Sequence, residues 1–464
     1  MSNTPSVTPS PYPDESDGYW MHYHDENSQK LADAIIKYAV DRVRMDPPPL
    51  DAPKSLSQLQ REVGETITAE GLGAAKALSI FTDQLAPSCI SVDHPLFLSF
   101  VPGAPTESSV LFDLVVAASN VYAGSWLEGA GAVYAENQAL AWLANLAELP
   151  ATAGGVFVSG GTAGNLSALI AARWQWRQRG RGAHDRVRPI ILASGGAHSS
   201  VALAANAMDA DLIAVPTDAA NRLTAPAVRG VFAAMSHEDR ARVCAVVATA
   251  GTTNLGVIDD LHGIGLFAQE NAVWFHVDGA YGAAALCARS VRHQFTGIEL
   301  VDSFIVDPHK WLFGPYDCCA LLYRDVRIGK AAHTQKAEYL DVLIQDLTRR
   351  ARGLPFWFSL ATHGTEAYEE AMEITLQVAR DAADMVRASE HLEFVVPPSL
   401  SILVVRRKGW SPDDYQRWSD RMLHDGIAFV VPTTHKGETV LRMCLVNPRT
   451  DPTQMQMLFD SLRD

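Results

Sequence analysis

The tightest constraint on this chain is a regular alternation of short apolar runs with helical stretches. The runs at residues 155–158, 189–193, 211–215, 243–249 and 272–277 are too brief for helices, and segments of helical period separate most of them. Two further runs, at 304–306 and 319–323, are bounded by Pro308 and Gly314. Such alternation builds a mostly parallel sheet with helices on both faces. Beyond Tyr323 the pattern shifts to a long amphipathic helix near 364–389, then strands near 394–396 and 402–406. A helix over 412–425 and strands near 427–431 and 440–445 follow. The chain therefore reads as α/β, with a large domain over residues 90–340 and a small C-terminal α+β domain over 341–464.

The first 89 residues have a different character. Residues 1–27 are polar and carry Pro5, Pro9, Pro11 and Pro13, so an extended or disordered arm is expected. Ser28 is a candidate cap for a helix to about Met45, whose apolar positions include Leu31, Ile35, Ile36, Val40 and Val43. Three prolines at 47–49 stop it, and a second helical pattern covers 55–63. This segment is too short for a core of its own and is expected to pack on a second subunit. Residues 94–105 are apolar but broken by Pro95, Pro102 and Pro105, so they line or wrap something rather than form a regular element.

Composition narrows the function classes. A net charge of −15 excludes a dedicated nucleic-acid binder, whose phosphate contacts need a basic surface. The arginine-rich run from Arg173 to Arg188 then reads as a solvated helix end and loop. No apolar run reaches the roughly 18 residues of a membrane span, and the N-terminus lacks the basic and apolar regions of a signal peptide. The expectation is a soluble cytoplasmic protein without a membrane or nucleic-acid partner. Six cysteines show neither disulfide-framework nor metal-ligand spacing, and no metal is expected.

Four motifs and one lysine carry chemistry, each at the end of an apolar run. Val158-Ser-Gly-Gly-Thr-Ala-Gly-Asn165 opens a helix, where glycines and free amides suit a phosphate and Thr162 can add a hydroxyl. It matches neither the P-loop nor the dinucleotide fingerprint. In Ser194-Gly-Gly-Ala-His-Ser-Ser200, His198 can stack on a flat heteroaromatic ring. Asp278 ends the run 272–277, where a carboxylate is costly unless it meets a cation; a pyridinium nitrogen or an arginine would serve. Ala248-Thr-Ala-Gly-Thr-Thr-Asn254 offers hydroxyls at the same edge. Finally Lys310, between two buried runs, is expected to lose hydration and hence pKa, which favours the neutral, nucleophilic amine of a Schiff-base lysine. Open α/β sheets bind ligands at the C-terminal ends of their strands, where all of these fall. Together they are the parts needed to hold pyridoxal 5′-phosphate.

His-Val-Asp-Gly-Ala-Tyr (276–281) followed by Asp-Pro-His-Lys-Trp (307–311), with Gly-Gly-Thr and Ala-His-Ser-Ser upstream, resembles the group II pyridoxal-phosphate decarboxylases. The resemblance runs from about Ser28 to the C-terminus. It implies a fold-type I architecture with a seven-stranded, mostly parallel sheet, and a homodimer with sites at the subunit interface. It also implies Lys310 as the Schiff-base lysine, Asp278 as partner of the pyridine nitrogen, and Ala280 and His198 on opposite faces of the ring. Gly161, Thr162 and His309 fall where the family holds the phosphate, and Thr253 at its cofactor-contacting threonine. Asp307 stands where many relatives carry Asn.

The activity implied is decarboxylation of an L-amino acid to its amine, with Asp278 keeping the ring nitrogen protonated while the cofactor acts as electron sink. Glu338-Tyr-Leu-Asp341 resembles the family's mobile loop, which makes Tyr339 the donor that returns a proton to Cα. The stretch 97–104 resembles the pocket wall of the aromatic enzymes, with Phe100, Val101 and Pro102 facing in, so an aromatic or bulky apolar substrate is favoured. Arg349, Arg350 and Arg352 leave open a substrate such as Glu or Asp. The same scaffold would also carry an aromatic aldehyde synthase acting by oxidative decarboxylation-deamination, another pyridoxal-phosphate reaction such as oxidative deamination or transamination, or a non-enzymatic paralogue.

Overall fold

A computed structural model describes residues 26–180, 187–333 and 348–463. Seven strands form the central sheet: β1 (Gly154–Val158), β2 (Ile190–Ser194), β3 (Asp211–Val215), β4 (Val243–Thr249), β5 (Trp274–Asp278), β6 (Ser303–Val306) and β7 (Cys319–Tyr323). Their order is β1-β7-β6-β5-β4-β2-β3. Neighbours from β3 through β6 pair in parallel, and β7 runs against both β1 and β6. Every residue of β2, β4, β5, β6 and β7 is buried, which is why these strands read as continuous apolar runs. Successive side chains still alternate between faces: Leu192, Val246, Phe275 and Phe304 enter one core, and Ile191, Val247, Trp274 and Ile305 the other. The expected mostly parallel seven-stranded sheet is present.

A second sheet, β10-β11-β9-β8, is antiparallel throughout and comprises β8 (Leu392–Phe394), β9 (Ile402–Arg407), β10 (Pro432–His435) and β11 (Glu438–Cys444). Its core joins Leu403, Val405, Leu441 and Met443 to Tyr415, Trp418 and Leu458 from covering helices. One strand expected here, at 427–431, does not form. Phe429 instead bridges Phe97, its N–H donating to the Leu96 carbonyl at 2.9 Å and its carbonyl accepting from the Leu98 N–H at 3.0 Å. The proline-broken stretch thus takes the backbone partners a sheet neighbour would have used.

Among the described residues, 26–44 and 54–88 form a compact unit of their own. It contains helices Glu26–Val43, Leu56–Glu62 and Ala74–Ile80, with Tyr38 edge-on to Phe81 at 5.9 Å. Ser28 lies inside the first of these helices rather than capping it, whereas Ser55 and Gln58 form a capping box on the second.

Two backbone bonds fix the turns that follow β5 and β6. Gly279 N–H donates to the Ile305 carbonyl at 3.1 Å, and Asp307 N–H to the Ala280 carbonyl at 3.0 Å. The residues after Asp278 and those before Lys310 are thereby held side by side. Trp311 anchors the second turn from below: fully buried, it stacks on Tyr281 at 5.2 Å and donates its indole N–H to Thr375 Oγ1 at 2.9 Å. Thr375→Val leaves that buried donor unpaired, which is expected to cost about 1–3 kcal/mol in denaturant-induced unfolding.

Candidate active site

The C-terminal ends of β1, β2, β4, β5 and β6 surround a cavity of about 350 Å³. Gly161 and Thr162 reach it from the first turn of helix Gly161–Gln178, and His198 from the cap of helix Ser199–Ala207. Asp278 and Ala280 reach it from the end of β5, and Thr253 from the turn after β4. The turn after β6 contributes Asp307, His309 and Lys310. All the motif residues singled out for the cofactor therefore meet on one cavity. Phe100, Val101 and Pro102 do not line it. Phe100 is 65% exposed beside Phe429, while Val101 and Pro102 are buried. Tyr339 lies outside the described residues.

Asp278 is 5% exposed at the end of its strand, and its carboxylate is compensated by hydrogen bonds. Asn165 Nδ2 donates to Asp278 Oδ2 at 2.9 Å, and the Ala280 N–H donates to Oδ1 at 3.1 Å. Asn165 is the fork of a longer chain. The same Nδ2 donates to Ser200 Oγ at 2.8 Å, and Ser200 Oγ meets His198 Nδ1 at 2.8 Å. On its other side, Asn165 Oδ1 meets His276 Nε2 at 2.8 Å; His276 Nδ1 meets Ser303 Oγ, which accepts the Trp274 indole N–H at 2.9 Å.

Donor and acceptor roles follow from the ends of this chain. An amide oxygen only accepts, so His276 carries its proton on Nε2 and accepts a hydrogen bond from the Ser303 hydroxyl at Nδ1. Burial pushes the His276 imidazole down to about 4 against the opposing pull of Asp278. The ring is accordingly neutral, and the polar line runs one way, from Trp274 toward the carboxylate. The sequence carried a usable signal for His276, since residues 274, 276 and 278 share one face of β5. Asn165 and Ser200 gave none beyond standing in the quoted motifs.

Lys310 departs from expectation. Burial works to lower its pKa, but Asp307 Oδ2 lies 2.9 Å from its Nζ, and by charge and hydrogen bond, with help from Asp278, moves the amine upward instead. The same Oδ2 stands 3.6 Å from His309 Nε2, and His309 Nδ1 accepts the Cys318 N–H at 3.1 Å. Burial lowers the His309 pKa, with Asp307 opposing.

The donor set suits a flat ring bearing a phosphate. Helix Gly161–Gln178 begins at Gly160 with no side chain among the described residues capping it, so its first N–H groups suit an anion. A Cβ on Gly161 would stand 3.3 Å from both the Ala280 Cβ and the Ile305 Cδ1, so the floor is narrow where glycine sits. Thr249 Oγ1, also on the cavity, is buried with no hydrogen-bond partner among the described residues.

The depressed His276 pKa makes stability pH-dependent with a definite sign. The unfolded chain takes up this proton near pH 6.5 and the folded chain only near 4, so the contribution is complete above about 6.5 and is lost as pH falls toward 4. The stability of the wild type relative to His276→Phe is expected to fall by about 2 kcal/mol between about pH 7.5 and 5, read from denaturant unfolding at each pH. A difference that stays constant across that window contradicts the neutral buried imidazole.

Comparison with known proteins places this geometry. The family described as the pyridoxal-dependent decarboxylase conserved domain matches residues 59–408. An L-2,4-diaminobutyrate decarboxylase of Rhizobium meliloti (strain 1021) is 33% identical over 414 residues, covering 84% of this chain and 82% of that protein. An aromatic-L-amino-acid decarboxylase of Bacillus atrophaeus is 28% identical over 428 residues, covering 87% and 88%. The structure of Catharanthus roseus tryptophan decarboxylase in complex with L-tryptophan shares the fold, with a TM-score of 0.86 at 21% identity over 96% of this chain and 99% of that one. This chain belongs to the pyridoxal-dependent decarboxylase family.

Proposed function

We propose that this enzyme removes the α-carboxylate of an aromatic L-amino acid as carbon dioxide and releases the corresponding amine. The observation that carries the reaction is the meeting of Lys310, Asp278 and His198 on one cavity at the strand ends. In this reading the first turn of helix Gly161–Gln178, with Thr162 and His309, holds the cofactor phosphate, and Thr253 adds a contact at the rim. Lys310 Nζ makes the covalent link. His198 and Ala280 cover the two faces of the ring. The Ser200 contacts at Nδ1 fix the plane of His198 and leave its proton on Nε2. Asp278 keeps a proton on the pyridine nitrogen, and its bonds from Asn165 and Ala280 hold its oxygens in place. When bound, pyridoxal phosphate supplies the electron sink for the pair left by the departing carboxylate. Tyr339 returns a proton to Cα.

The aromatic preference is supported by the state of the arginines. A side-chain carboxylate on the substrate would need a free cation, but Arg349 pairs with Glu136 at 2.8 Å, Arg350 with Asp113 at 2.6 Å and Arg352 with Asp317 at 2.9 Å. The phenol of Tyr316 instead stands at the cavity with its ring 4.9 Å from His309. A second reading, a basic amino acid such as 2,4-diaminobutyrate, is favoured by the two carboxylates on the cavity, Asp278 and Asp307, and by the 33% identical relative.

We also propose a homodimer. Phe100 is exposed and off its own cavity, so its role at a substrate requires a second copy to receive it. Exposed Ile35 and Ile36 on the first helix give apolar surface for the same purpose.

The test is a panel assay on the cofactor-loaded enzyme. Trp, Tyr, Phe, Dopa, His, Glu, Asp, Lys and diaminobutyrate would be offered, with amine, carbon dioxide, aldehyde and peroxide quantified. The expected result is equal amounts of amine and carbon dioxide from an aromatic acid. Turnover of Glu or Asp alone contradicts the arginine argument, and turnover of diaminobutyrate alone selects the second reading. Aldehyde with peroxide as main products contradicts the role given to Tyr339.

A further inference from the structure

Lys310 and Asp307 stand three residues apart on the turn after β6, and their side chains meet over the cavity. Asp307 is 1% exposed. Its Oδ2 accepts from Lys310 Nζ at 2.9 Å, while Oδ1 is buried without a hydrogen-bond partner among the described residues. The same Oδ2 would stand 3.4 Å from a Cβ on Gly161, which places it against the first turn of the helix assigned to the phosphate. An ionised carboxylate only accepts hydrogen bonds, and the Lys310 ammonium, its nearer cationic neighbour, can satisfy it by charge as well as by donation.

The other titratable groups coupled to the amine among the described residues are shifted toward their neutral forms. His309, on the same turn, is shifted toward the neutral ring by burial. Tyr316 from the following loop is raised by burial, as is Cys444 from β11, and Cys319 at the start of β7 is raised well above the usual thiol range. That leaves Asp307 in contact and Asp278 farther off. One ammonium thus faces two carboxylates.

We propose that Asp307 is the counter-ion that holds the Lys310 proton in the cofactor-free protein and so sets the pH at which this lysine can accept its aldehyde cofactor. The proposal rests on Lys310 being the linking lysine. Linkage requires the ammonium to release one proton to solvent. The freed lone pair then forms the bond to the aldehyde carbon, and the two remaining amine hydrogens leave with the aldehyde oxygen as water. A carboxylate in contact with the ammonium opposes the first of these events. An opposite charge at this range favours the ammonium over the neutral amine, so the neutral fraction near neutral pH falls.

The test follows imine absorbance after aldehyde is added to the cofactor-stripped full chain, for the wild type, Asp307→Asn and Lys310→Ala. Pyridoxal phosphate and pyridoxal are used in parallel, because pyridoxal lacks the phosphate whose binding the substitution also alters. Asp307→Asn is expected to react at least about tenfold faster near pH 7.5 with both aldehydes, with its rate midpoint at least about one unit lower. An unchanged midpoint overturns the proposal, as does acceleration confined to pyridoxal phosphate. If the variant does not fold, the wild-type profile decides. A log rate that climbs without levelling to about pH 9.5 supports the counter-ion, and levelling below about pH 9 overturns it. A wild type that develops no imine absorbance, or no more than Lys310→Ala, overturns the linking role itself and the proposal with it.

Discussion

A carboxylate at the buried end of a central strand sets the terms for the rest of the site. Asp278 is almost wholly removed from water, and a lone charge there would be prohibitive without strong partners. The chain meets this with donors drawn from three directions: the Asn165 amide from the neighbouring helix, the Ala280 N–H from its own turn, and behind Asn165 the neutral His276. Because Asn165 also reaches Ser200, and Ser200 reaches His198, the compensation of one charge orients the ring across the cavity as well. Electrostatic satisfaction and site geometry are here the same set of bonds.

The cation on the opposite side obeys the same arithmetic. Lys310 is held on a turn that Trp311 pins through its stack on Tyr281 and its bond to Thr375. In that position desolvation and charge compete, and the contact with Asp307 wins. An amine forms an imine only as its neutral form, so a raised pKa in the free protein bears directly on the step that would attach an aldehyde at this nitrogen.

Much of this was legible in the sequence because the central strands are buried on both faces and short, so their ends, and the residues on them, could be located. Lys310, Asp278, His198 and the glycine turn each stand at such an end. What was not legible depends on which elements become neighbours. Asn165 reads as one polar residue in a helix until β5 is placed beside it. The direction of the Lys310 shift was missed because spacing of three residues does not reveal that Asp307 folds back onto the amine. The strand expected at 427–431 failed for a related reason. Its apolar pattern was sound, but the backbone partner proved to be the irregular stretch around Phe97, which no periodicity announces. Phe100 was expected at the substrate from resemblance, and its exposure shows that one copy of the chain does not bring it there.

The proposed chemistry stands or falls on attachment of the cofactor at Lys310 within the Asp278 cavity. The most direct measurement is borohydride reduction of the protein loaded with pyridoxal phosphate, followed by peptide mapping by mass spectrometry. A single stoichiometric reduced adduct is expected on the peptide containing Lys310, abolished by Lys310→Ala. An adduct on another lysine, or label scattered over surface lysines with Lys310 unmodified, would contradict it.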